Sequence, residues 1–220
     1  MQTPAKITKT IVRIESENYL VRTVKLDDAS DRWASWMSDP EAVHMLNAPA
    51  KTLHKSDIVK YIKQFDQRSR LLLGIFTKQS SRHIGIITFN IDFALRQFLV
   101  NMLIGEPQYR NHGVTNEITE PCREYLFETL GMKKMLCTAL ARNHIIIHYL
   151  LKTGWKLEQT RKQHVKSRSD GTMLDLCFFS LAREDWRARK RAELAARQEA
   201  ISAGRESGSD RVFGLSKRSD

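Results

Sequence analysis

Three apolar runs follow one another between residues 71 and 106: "LLLGIFTK" (71–78), "RHIGIITFNID" (82–92) and "RQFLVNMLIGE" (96–106). Each is short, rich in branched and aromatic residues, and bounded by polar residues, which is the pattern of a strand. The polar "QSS" between the first two predicts a hairpin. The third run leads instead into a polar, glycine-bearing turn, "YRNHGVTNE" (109–117), and then into "ITEPCREYLFETLG". That stretch reads as a helix from about 113 to 130, with Gly131 as its stop. "MKKMLCTAL" (132–140) is a strand again. Strand, helix and strand in succession call for a crossover and hence a parallel pair. A series of antiparallel strands that opens into a βαβ unit excludes both a pure β-sandwich and a helical bundle.

The flanks fit this frame. "NYLVRTV" (18–24) is a strand. "DDASDRWASWMSDP" offers Asp and Ser as helix starters and Pro40 as a stop. Its Trp33, Trp36 and Met37 sit at helical spacing as core contacts. "HKSDIVKYIKQFDQRS" (54–69) carries Ile58, Tyr61, Ile62 and Phe65 on one helical face. "NHIIIHYLLKT" (143–153) is a short helix stopped by Gly154, and "TMLDLCFFSLA" (172–182) a final strand. The expected order is strand, two helices, three strands, helix, strand, helix, then one or two strands. Residues 1–17 read as an irregular arm and 18–182 as one α/β (α+β) domain with a mixed, mostly antiparallel sheet flanked by helices. Residues 183–203, "REDWRARKRAELAARQEA" onward, read as an exposed charged helix, and the Ser/Gly-rich 204–220 as a disordered tail.

Composition narrows the class. The 220 residues are 41% hydrophobic and 28% charged, ordinary for a globular domain. No run approaches the ~20 apolar residues of a membrane helix, and "MQTPAKITKT" lacks the apolar segment of a secretory signal. Cys122, Cys137 and Cys177 are scattered without metal-type spacing. The expectation is a cytoplasmic protein with no metal and no membrane partner. A net charge of +11 suits nucleic acid or another polyanionic ligand, and equally a plain solvated basic surface.

The turn at 109–117 carries the chemistry. A helix N-terminus presents unpaired N–H groups and the positive end of the dipole. A glycine there lets the backbone approach a phosphate closely. Gly113 opens the helix and Arg110 adds charge, so the turn reads either as an anion cradle or as an ordinary strand-to-helix turn with a solvated Arg. Neither G-x-x-x-x-G-K-[ST] nor G-x-G-x-x-G is present.

"IGEPQYRNHGVTNE" resembles the acetyl-CoA loop of the GNAT superfamily of N-acetyltransferases, [Q/R]-x-x-G-x-[G/A]. The matching positions are Arg110, Asn111, His112, Gly113, Val114 and Thr115, with Thr115 departing from the final Gly or Ala. "ARNHIIIHYLLKTGWK" is similar to the family's N-x(10)-G-[FW] segment, at Asn143, Gly154 and Trp155. "WMSDPEAVHML" resembles the W-x-x-D-P-E-V opening of the RimJ/RimL-like and sugar-amine branch, and "FFSLAREDW" that branch's last strand and exit. The resemblance spans about residues 18–187.

It implies a GNAT fold with a central βαβ acetyl-CoA unit and acetyl-CoA as co-substrate. By the same resemblance the pyrophosphate lies on Arg110 and the amides from Asn111 to Thr115. The backbone of Leu103, Ile104 and Gly105 would hold the pantetheine, with Asn143 and Lys152 as further cofactor contacts. The usual acid position, seven after Asn143, is Leu150, so Tyr149 one step away is the candidate acid, with His148 behind it. The usual base position is Leu99. Asn101 shares its strand face and would hold a water or the acceptor. His44 and Asn47, placed in the loop after the first helix, are the acceptor contacts, His44 having a pKa suited to base work. Glu106, followed by Pro107, is expected to point to solvent, and Pro121 to kink its helix. The implied activity is acetyl transfer to a primary amine of a small molecule such as a nucleotide-linked amino sugar. The alternatives are a RimJ/RimL-like N-terminal acetyltransferase, whose basic surface would meet ribosomal RNA, and a non-catalytic CoA-binding protein. Pairing of the tail helix in a homodimer is a further expectation.

Overall fold

The computed structural model describes residues 9–47 and 51–209. The three runs of the centre form β3 (Arg70–Thr77), β4 (His83–Asp92) and β5 (Gln97–Ile104), antiparallel in series. They are the middle of one eight-stranded sheet. β1 (Arg13–Glu15) and β2 (Tyr19–Thr23) extend it on one side, and β6 (Lys134–Leu140), β7 (Lys156–Lys166) and β8 (Met173–Ala182) on the other. The order is β1-β2-β3-β4-β5-β6-β8-β7, and among the described residues only β5 and β6 run parallel. The crossover between them is α4 (Val114–Glu124), so the βαβ unit stands where the sequence places it.

The helices α1 (Asp31–Trp36) and α3 (Lys55–Ile62) cover one face. There Trp33, Trp36, Ile58 and Ile62 pack on Leu72 and Ile86. On the other face α4 sets Val114, Ile118 and Cys122 against Phe98, Val100, Met135 and Phe179. Burying each Leu- or Phe-sized side chain contributes about 2 kcal/mol, so the sheet is held from both sides. α5 (His144–Lys152) joins α4's face and buries Leu150. Burial pushes the Cys122 thiol up to about 12 and that of Cys137 up to about 11, which leaves both as inert packing groups.

Several elements differ from the sequence reading. Residues 13–15 of the arm are strand β1, paired to β2 through Arg13↔Arg22 and Glu15↔Leu20. β7, "KLEQTRKQHVK", is a full edge strand whose residues are exposed apart from Val165. An edge exposed on both faces shows no alternation for a period argument to find. Pro40 opens a helix, α2 (Pro40–Leu46), where a stop was expected; proline is suited to the first helical position because its missing N–H needs no partner there. The helix expected over 54–69 ends at Ile62, and the Asp66 carboxylate accepts from the N–H groups of Arg68 and Arg70 at 2.8 Å to form a turn. α4 runs through Pro121 and widens into a π turn at Tyr125–Thr129. Proline removes the N–H that would bond Glu117, and a π turn absorbs such a defect. The tail helix α6 runs from Arg183 to Ser209, beyond the expected end at 203. The ends of the arm and of the tail, 1–8 and 210–220, lie outside the described residues.

Candidate functional site: a split in the sheet and a helix N-terminus

β5 and β6 pair at only three positions, Gln97↔Lys134, Phe98↔Met135 and Leu99↔Leu136. Beyond them each strand keeps its outer partner. β5 stays on β4 as far as Gly85↔Ile104, and β6 stays on β8 as far as Leu140↔Leu176. The two strands therefore diverge into a V from Val100 and Cys137 onward. The Arg96 carbonyl accepts from the N–H groups of Lys133 and Lys134, on the β6 side. Peptide groups alternate along a strand, so those of Val100, Met102 and Ile104 turn into the V. Leu103, expected to bond the cofactor through its backbone, faces the other way: it pairs with Ile86 and packs in the α1–α3 cluster. Gly105 donates to the Ile84 carbonyl at 2.9 Å.

At the mouth of the V the chain turns through Asn111 (φ 61°) and Gly113 (φ 80°) into α4. The first helical bond is Glu117 N–H to the Gly113 carbonyl, so the N–H groups of Val114, Thr115 and Asn116 lie ahead of it at the positive end of the dipole. Asn111, His112 and Gly113 are exposed. A Cβ built on Gly113 would meet nothing within 4 Å. The cradle is open, and its donors fit an anion.

Arg110 is placed differently from expectation. Its Nε donates to the Ile104 carbonyl at 3.0 Å and Nη2 to the Gly105 carbonyl at 2.9 Å. It pairs with Asp39 at 2.6 Å and Glu41 at 3.2 Å. Its donors brace the end of β5 against α2 rather than face the cradle. The other arm of the V does the same, for Arg142 donates to the His44 carbonyl near the end of α2. α2 is thus a crossbar tied to both arms. Asn47, just past it (φ 51°), donates to the Lys166 carbonyl at 3.0 Å and accepts from the Arg168 N–H at 2.9 Å. His44 lies within this helix rather than in a loop, and is exposed. The Asn47 amide is engaged with the β7–β8 turn, so its part is to strap the crossbar.

The structure does not bring the three catalytic candidates together. Asn101 is exposed on the face that Leu103 shares. Tyr149 packs on the opposite face and donates to Thr119 Oγ1 at 3.3 Å. Asn143 caps α5, its Oδ1 accepting from the Ile146 N–H at 3.3 Å, at the end of the β6 arm. Lys152 and His148 are exposed on α5. Among the described residues no group of three or more His, Cys, Asp and Glu gathers as a metal set, and no helix is long and apolar enough to cross a membrane.

Glu106 overturns its expectation. It is 3% exposed, and its carboxylate accepts from both Arg32 Nε and Nη2, from Arg82 Nη2 at 2.8 Å and from Trp36 Nε1 at 2.8 Å. Its partners lie 24, 70 and 74 residues away in sequence, so no local signal could reveal them. His83, packed face-on to Phe76 and edge-on to Trp33 and Trp36, has its pKa lowered to about 4, chiefly by desolvation. It is a neutral packing group at pH 7.

A sheet split between two parallel strands, with an open helix N-terminus at its mouth, has the shape and the donors for an extended anionic ligand lying end-on to the sheet. The chain belongs to the GNAT acetyltransferase domain family, whose model matches residues 18–156. It is an N-acetyltransferase of the family that uses acetyl-CoA. No curated protein matches it in sequence. Among solved structures it resembles a GNAT-family acetyltransferase from Bacillus anthracis (TM-score 0.66, 16% identity, 79% of this chain and 99% of that one). It also resembles the ribosomal-protein-S5-alanine acetyltransferase from Vibrio fischeri (TM-score 0.64, 19% identity, 80% and 98%). A third likeness is the spermidine N-acetyltransferase from Vibrio cholerae in complex with CoA and spermine (TM-score 0.67, 13% identity, 77% and 98%). These identities carry the fold and no substrate.

Proposed function

We propose that the chain moves the acetyl group of acetyl-CoA onto the primary amine of an anionic small molecule, for which a nucleotide-linked amino sugar is the type. The supporting observation is the crossbar. α2 closes one side of the V and is tied to Arg110 on one arm and Arg142 on the other. Asn47 draws Lys166 and Arg168 of the β7–β8 turn to its end. The backbone of two cationic residues is thus drawn to the side of the V that carries Asn101 and His44, and a chain of net charge +11 favours a phosphate-bearing acceptor.

On this reading the N–H groups of Val114, Thr115 and Asn116, with Gly113 giving access, hold the pyrophosphate. Asn111 and His112 border it and Asn143 stands at the end of the β6 arm, while Lys152 closes α5 at its other end. The peptide groups of Met102 and Ile104 line the path of the pantetheine. Acetyl-CoA supplies the thioester. The amine nitrogen bonds the acetyl carbon, the C–S bond breaks, the nitrogen gives up a proton, and the departing CoA thiolate takes one up to leave as the thiol. Asn101, an amide, can position the amine and cannot take that proton. His44, exposed on the crossbar, is the candidate to take it.

The test is release of the CoA thiol over three acceptor classes: nucleotide-linked amino sugars, N-terminal peptides and spermidine. Turnover on the first and not on the polycation is the expected result. Turnover confined to peptides moves the chain to the RimJ/RimL-like alternative, and CoA binding without turnover on any amine favours a binding protein. Gly113→Glu places a carboxylate in the cradle and is expected to weaken CoA binding about 100-fold or more. Calorimetry showing unchanged affinity would remove the cradle assignment.

A further inference from the structure

Between α4, α5 and α6 lies a cavity of about 250 Å³. Asn116, Thr119 and Arg123 line it from α4, Tyr149 from α5, and Trp186 and Lys190 from α6. Arg123 is only 6% exposed, yet its Nε and Nη2 have no hydrogen-bond partner. The carboxylate paired with it, that of Glu120, lies 3.7 Å from Nη1 and accepts from Trp186 Nε1 at 2.7 Å. The other cations of the wall are engaged. Arg189 bonds Glu193 at 2.7 Å and the Lys152 carbonyl at 3.0 Å, and Lys190 pairs with Glu124 at 3.1 Å. A buried guanidinium with unpaired N–H groups is costly to maintain. Its planar fork matches the oxygens of a phosphate. The space is many times the ~30 Å³ share of one water.

The position narrows the ligand. Asn116, Thr119 and Arg123 recur at helical spacing along α4 and begin in the same turn as the cradle amides. The far wall, α6, lies outside the segment that matches the family. We infer that the cavity is a phosphomonoester site, filled by the 3′-phosphate of the CoA whose pyrophosphate lies at Gly113, with α6 as an added wall that makes the chain selective for it. This inference rests on the cofactor reading above. Arg123 supplies the paired donors, Lys190 the charge at the rim, and Asn116 and Thr119 the polar lining toward the cradle.

The experiment is calorimetric binding of CoA, 3′-dephospho-CoA and inorganic phosphate to the full chain and two variants. The native chain is expected to bind CoA at least tenfold more tightly than dephospho-CoA. Arg123→Met should bring that ratio to about one and leave the affinity for dephospho-CoA unchanged. Lys190→Glu, on the outer helix, should lower the ratio in the same direction by a smaller factor. If CoA and dephospho-CoA bind alike while phosphate binds in a manner lost in both variants, the site stands with free phosphate as its source. Equal binding of the two cofactors with no phosphate binding overturns it. Should neither cofactor bind, the cradle reading fails, and the phosphate arm alone decides the cavity: binding that depends on residue 123 supports it, and no binding ends it.

Discussion

Glu106, just past β5, and Arg123, on α4, are both buried charges, and they are held in opposite ways. Glu106, 3% exposed, accepts two bonds at each carboxylate oxygen, from Arg32, Arg82 and Trp36. Arg123, 6% exposed, keeps two nitrogens without partners beside open space. The first arrangement is closed: every lone pair has a donor, and the carboxylate ties α1 to the turn that follows β5. The second is open, a desolvated charge with the Glu120 carboxylate 3.7 Å from Nη1 and two further nitrogens unbonded. A satisfied buried charge reads as scaffold, and an unsatisfied one facing a cavity reads as a site.

The largest effect should come from the closed cluster. Glu106→Ala leaves Arg82 and Trp36 Nε1 without their acceptor, and removing one member of a buried pair costs on the order of 3 kcal/mol. Arg32, half exposed, recovers water and keeps the loss at the lower end of the usual range. For a chain of this size that is a fall in Tm of roughly 10 °C, read by thermal denaturation. A change of under 3 °C would mean that the four bonds at Glu106 contribute little, and the contrast with Arg123 would collapse.

Gly105→Ala attacks the same cluster through shape. A Cβ at Gly105 would lie 2.0 Å from Cδ2 of Trp36, with two more ring atoms within 2.4 Å. The ring has to move, and it carries the Nε1 donor of Glu106. Overpacking of this kind costs about 1–3 kcal/mol. The two variants share a partner, so their double mutant should cost less than the sum. Strict additivity in denaturant melts would show that Trp36 is not the link between them.

The sequence made the sheet's centre legible because its runs are apolar and punctuated by turns. It made the turn into α4 legible because a glycine at a helix start has a local physical meaning. Residues whose roles depend on distant partners stayed hidden. Glu106 next to Pro107 looks like a surface residue until Trp36 and Arg32 are brought to it across 70 and 74 positions. Arg110 looks like a phosphate ligand until Asp39 and Glu41 claim it. Tyr149 sits one residue from the usual acid position, and on a helix that single step turns it to the α4 side. The crossbar α2 was missed because Pro40 serves as a stop after α1 and as a start for the next helix. Arg123 had one available signal, the polar Asn116, Thr119 and Arg123 recurring along a helix that otherwise buries its apolar face.

The smallest expected effect is the sharpest test of the comparison. Arg123→Met keeps an unbranched apolar stem and removes a charge whose bonds are incomplete. Replacing a poorly compensated buried ion by an apolar group of similar volume is typically neutral or stabilising. Burial already pulls the Arg123 guanidinium below its ordinary pKa, with desolvation the main cause, as expected of a cation that its surroundings do not fully repay. The expected change is between zero and a gain of about 1 kcal/mol, so Tm should hold or rise by roughly 2–4 °C. The melt is best run with and without CoA. Without it the variant should equal or exceed the native chain. With it the native chain should gain the larger stabilisation, because a ligand that binds only the folded state raises stability in proportion to the logarithm of its occupancy. A loss of about 3 kcal/mol without ligand, matching Glu106→Ala, would show that ordered water already completes Arg123 and that both charges are scaffold.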